Sequence, residues 1–93
     1  MGFFKNIFRK EPIYVEAVKR LIIMARGLMR NKFLLKGQER LFLRSIIKVK
    51  NILKENGFED ETKMLDIIKA NIKNNNKITN SEIAKLEEIR SRL

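Results

Sequence analysis

Apolar residues recur along most of the chain at spacings of three and four, the repeat of an α-helix with one buried face. No run alternates in steps of two between turn residues, so strands are not expected. The pattern predicts a first long helix from Pro12, a favoured first-turn residue, to about Lys36. A second is expected over residues 38–56, stopping at Gly57, which can take the left-handed conformation that ends helices. Phe42, Ile46, Val49 and Leu53 form its core stripe. A third begins in Glu59, Asp60 and Glu61 and ends with Lys69 and Lys73, charges that suit the two ends of the helix dipole. Asn74, Asn75 and Asn76 then break the pattern. Thr79 as cap, Glu82 three residues on, and Ile78 placed to meet Ile83 open the last helix. Its buried stripe is Ile83, Leu86, Ile89 and Leu93. The expected fold is all-α: a small antiparallel helical bundle of three to four helices, with room for a short extra N-terminal helix. Breaks are expected near residues 36–37, 56–60 and 74–79.

Ninety-three residues suit one helical domain, 1–93. Within it the pattern separates a short amphipathic segment (1–10), a basic helical hairpin (12–56) and a neutral helical part (58–93). Cysteine is absent, which removes disulfides and thiolate metal sites and suits a reducing cytoplasm. The longest apolar run, residues 21–25, is far short of a membrane span.

Charge sharpens the division. Residues 1–56 hold 14 Lys and Arg against 4 Asp and Glu, so the whole net charge of +10 lies there; residues 57–93 hold 7 against 7. Such a split predicts one basic surface directed at an anionic partner. On the second helix Arg40, Arg44 and Lys48 stack four apart in a ridge opposite the core stripe. On the first, Lys19, Arg20, Arg26 and Arg30 occupy one side with Glu16 alone among them. Gly27 sits in that side, either as a contact point for a ligand or as a tolerated helix glycine. Apolar Ile23, Leu43 and Ile47 also intrude on the basic faces. They are expected either to meet another subunit or partner, making the chain a candidate homo-oligomer, or to be wrapped by the third and fourth helices.

In residues 1–10, Phe3, Phe4, Ile7 and Phe8 would gather on one side of a helix, with Lys5, Arg9 and Lys10 away from it. This opening is similar to the membrane-targeting starts of many peripheral proteins. The competing expectation is that the Phe face folds back onto the bundle. Residues 79–84 resemble the opening of the first helix in many helix-turn-helix domains, but a capping box accounts for the same residues.

Catalysis has little to work with. His and Cys are absent, and the Ser and Thr residues have no base beside them in the pattern. No metal-loop spacing or phosphate-cradling glycine motif is present, so neither an enzyme nor a cofactor is expected. The leading expectation is a small, basic, non-enzymatic protein of the cytoplasm that contacts nucleic-acid phosphates through Lys19, Arg20, Arg26, Arg30, Arg40, Arg44 and Lys48. The alternatives are a peripheral protein on an anionic membrane, inserting Phe3, Phe4, Ile7 and Phe8, and an adaptor or inhibitor that binds an acidic protein surface.

Overall fold

The computed structural model describes residues 11–93, which form four α-helices and no strand. They are α1 (Ile13–Leu28), α2 (Lys36–Glu55), α3 (Glu59–Asn75) and α4 (Asn80–Arg92). Residues 1–10, with the Phe3, Phe4, Ile7 and Phe8 cluster, lie outside the described residues.

Each helix packs on two others, α1 on α2, α2 on α3, α3 on α4 and α4 back on α1, so the four close a ring around one core. Partners along the chain run in opposite directions. Asn71 meets Glu82 near the corner between α3 and α4, while Glu61 meets Arg92 at the far ends of the same two helices. The result is an up-down-up-down bundle with short connections. Val18, Leu21, Ile22 and Ala25 from α1 meet Phe42, Ile46, Val49 and Leu53 from α2. Leu65, Ile68 and Ile72 from α3 and Leu86 and Ile89 from α4 complete the interior. The stripe expected on α2 is therefore the stripe buried; on α4 it is also the buried face, with Ile83 and Leu93 half-covered at its ends.

Three helix ends follow directly from their residues. Gly57 adopts φ 85°, and the chain closes behind it with Phe58 N–H donating to Leu53 O (2.9 Å) and Gly57 N–H to Lys54 O (3.2 Å). That pair of bonds is the Schellman stop, and Phe58 packs against the core it turns toward. At the start of α4, Thr79 Oγ1 accepts from Ser81 N–H, and Glu82 reaches back to accept from Thr79 N–H at 2.8 Å. Asn76, at φ 54°, ends α3 in the left-handed region that Asn tolerates better than most residues.

The first break is not where the pattern puts it. α1 stops at Leu28, residues 29–35 form a connection, and Gly37 lies inside the first turn of α2. The cause is tertiary. Leu34 leaves the helical path to bury itself to 4% exposure, and its N–H donates to Asn76 O at 2.8 Å, tying the connection to the α3–α4 corner. Gln38 then serves as the stop-and-start residue: its Oε1 accepts from Leu35 N–H and from Asn31 Nδ2, both at 3.0 Å. Phe33, Leu34 and Leu35 continue the apolar count, so spacing alone cannot register the exit.

Candidate functional site

An i, i+4 ridge is not parallel to its helix axis. Each step of four residues turns about 40° around the helix, because 3.6 residues make a turn. The ridge Lys36, Arg40, Arg44, Lys48 therefore drifts across the outer side of α2 from the α3 side toward the α1 side. The structure carries that drift into two separate grooves. Lys36, Arg40 and Arg44 line a groove of about 470 Å³ between α2 and α3. Lys48 instead lines a groove of about 460 Å³ between α1 and α2.

In the α2–α3 groove, α3 supplies Lys69 and Lys73 opposite the three α2 cations. Leu43 and Ile47 also line it, and Glu39 is its one acid. Five cations against one carboxylate thus share a single concave surface. Among the described residues none of the five holds a carboxylate within salt-bridge distance. Further down α2, Lys50 is engaged, donating to Asp66 of α3 at 2.7 Å.

The α1–α2 groove has another character. Ile13, Ala17, Leu21 and Met24 of α1 and Val49 and Ile52 of α2 make it largely apolar, with Arg20, Lys48 and Glu16 as its charged members. The first-helix cations do not act as one side. Lys19 donates to Glu11 at 2.7 Å, and Arg26 pairs with Glu87 of α4, which also meets Arg90 at 3.6 Å. Arg20 turns to α2, and Arg30 lies exposed just beyond the end of α1. Of the seven cations expected to act together, Arg40 and Arg44 share one groove, Arg20 and Lys48 share another, and Lys19 and Arg26 are neutralised in ion pairs.

Sequence reasoning missed Lys36, Lys69 and Lys73. The signal for Lys36 was present, since it extends the Arg40–Arg44 ridge by one step of four. Lys69 and Lys73 read as complements to the helix dipole, and only the packing of α3 on α2 sets them opposite arginines. The apolar residues that crowd the basic faces divide as well. Leu43 packs against the core, Ile47 lines the cationic groove, and Ile23 remains 70% exposed. Around Gly27 a Cβ would meet nothing within 4 Å, so no close approach of the described residues explains it.

No group of three or more metal-ligating side chains occurs among the described residues. None of their helices is long and apolar enough to cross a membrane. Compared with known proteins, the chain matches no family model, no curated protein and no solved structure.

Proposed function

We propose that this protein binds nucleic acid through its phosphate backbone, without catalysis, and that the groove between α2 and α3 is where the backbone lies. The observation that carries the reading is the convergence of Lys36, Arg40 and Arg44 with Lys69 and Lys73 around one groove with a single acid. Unpaired like charges held this close repel one another, and a polyanion laid between them removes that cost. The two arginines add forked donors that match phosphate oxygens, and the lysines add point charges. Phosphate contacts of this kind fix position on the backbone and carry no base sequence. Arg20 and Lys48, on the other side of α2, form a lesser basic patch.

Salt dependence tests this directly, because each neutralised phosphate releases condensed counterions. With all five cations engaged, log K against log salt falls with a slope of about −3.5 on a single strand and about −4.5 on duplex DNA. Changing Arg40, Arg44, Lys69 and Lys73 together to Gln makes the slope shallower by about 3 and weakens binding to unrelated sequences alike. Changing Lys19 and Arg26 to Gln, which already hold carboxylates, leaves the slope as it is. A groove variant with the parent's affinity and slope moves the interface elsewhere. Absence of binding to DNA and RNA at low salt, with salt-sensitive binding to anionic vesicles, replaces the nucleic acid by a membrane.

A further inference from the structure

The described residues contain four aromatic rings, and three are occupied by the fold. Phe42 is fully buried, and Tyr14 and Phe58 lie half-buried against each other with ring centroids 4.8 Å apart. Phe33 is different: it is 59% exposed, between buried Leu34 and exposed Lys32. The chain that presents it is nevertheless held at several points. Leu34 is anchored in the core and bonded to Asn76 O, while Asn31 and Leu35 both donate to Gln38. These contacts also fix where the connection lies. Phe33 precedes Lys36 by three residues, and Asn76, bonded to its neighbour, follows Lys73 by three. Phe33 therefore belongs to the end of the bundle where Lys36 and Lys73 line the cationic groove, and its ring faces solvent there.

From this we infer that the nucleic acid is single-stranded, and that Phe33 stacks a base while the groove between α2 and α3 tracks the adjoining phosphates. The inference rests on the phosphate-binding reading and adds the class of nucleic acid to it. In a duplex the faces of the bases are covered by their neighbours, so an aromatic platform beside a phosphate track has no ring to meet. A single strand offers both at once, and every base has a π-face, so the recognition tolerates any sequence. Along α2, Lys36, Arg40 and Arg44 stand about 6 Å apart, one step of four residues each, which distributes charge along a strand rather than gathering it at one point. A ring held on an anchored connection also loses little freedom when a base settles on it.

Three ligands test the inference with the full chain: short oligo(dT), an abasic deoxyribose-phosphate oligomer of the same length, and a duplex. The parent binds oligo(dT) about tenfold more tightly than the abasic oligomer, a difference that stacking of one base supplies. Phe33→Leu, which keeps an apolar side chain and loses the aromatic face, binds both single strands with the abasic oligomer's affinity and an unchanged salt slope. Phe33→Trp restores the preference and, in a chain with no other Trp, loses fluorescence on oligo(dT) but not on the abasic oligomer. Circular dichroism of both variants matches the parent. Equal binding of oligo(dT) and abasic oligomer by the parent, tighter binding of the duplex, or an unaffected Phe33→Leu variant overturns the inference, while a steep salt slope in those same titrations leaves the phosphate reading standing. Loss of binding to all three ligands removes both.

Discussion

Glu82 is 3% exposed and still ionised, which requires its oxygens to be well supplied with donors. Burial pushes its pKa up, but the Thr79 hydroxyl and N–H and the Asn71 amide, all donating to the carboxylate, outweigh it and hold the pKa below the usual carboxylate value. The folded value is thus the lower one. The stability this group contributes is complete above the ordinary carboxylate range and is lost as pH falls through the folded value. Stability of the parent to urea should fall as pH drops below the ordinary carboxylate range, and Glu82→Gln, which keeps an acceptor but cannot ionise, should flatten part of that slope. Glu82→Ala leaves Thr79 N–H and Asn71 without their acceptor and should cost about 1–3 kcal/mol at neutral pH. A Glu82→Ala protein as stable as the parent would show that water replaces the carboxylate without loss.

At the scale of elements, the three described glycines have separate consequences because they occupy different helix positions. Gly57 closes α2 at φ 85°, a conformation that costs a residue with a Cβ about 1–2 kcal/mol, so Gly57→Ala should lower stability by that amount. Gly27 and Gly37 are exposed within helices, and added methyl groups there meet nothing within 4 Å. Gly27→Ala should therefore stabilise the fold by about 0.5–1 kcal/mol, seen as a rise of a few degrees in Tm. If Gly27→Ala retains stability but loses nucleic acid, the bare backbone of α1 is a contact after all. The same comparison shows why one break was legible and another was not. The stop at Gly57 needs only its lack of a Cβ and bonds to residues within the preceding turn, whereas the exit at residues 29–35 depends on Leu34 reaching the core and Asn76.

At the scale of the whole molecule, the proposed binding role of the cationic groove sets stability against binding. Arg40 and Arg44 face Lys69 and Lys73 with only Glu39 among them, so the ligand-free protein carries repulsion across the α2–α3 contact. Moderate salt should screen that repulsion and raise Tm, as should a bound polyanion through its preference for the folded state. Arg40→Glu should raise the stability of the free protein by a few tenths of a kcal/mol and weaken nucleic-acid binding together. Thermal melts and binding titrations on the same preparation check both. An Arg40→Glu variant that is less stable and binds as before would remove the groove's cations from the account.

The helices, their buried stripes and most of their ends were determined by local chemistry. Phe42, Ile46, Val49 and Leu53 share a face at helical spacing, Gly57 enters the left-handed region without the Cβ penalty at the point where the apolar stripe ends, and Thr79 caps with Glu82 from within one turn. The company each cation keeps depends on contacts between residues far apart in the chain. Packing of α4 on α1 joins Glu87 to Arg26, and packing of α3 on α2 sets Lys69 and Lys73 opposite Arg40 and Arg44. The approximately 40° drift of the α2 ridge sends Lys48 into the other groove. Phe33 follows the same logic. Sequence spacing places it inside the first long helix, whereas in the structure it lies in the connection, exposed beside buried Leu34, because a chain that exits its helix resets which way every following side chain points.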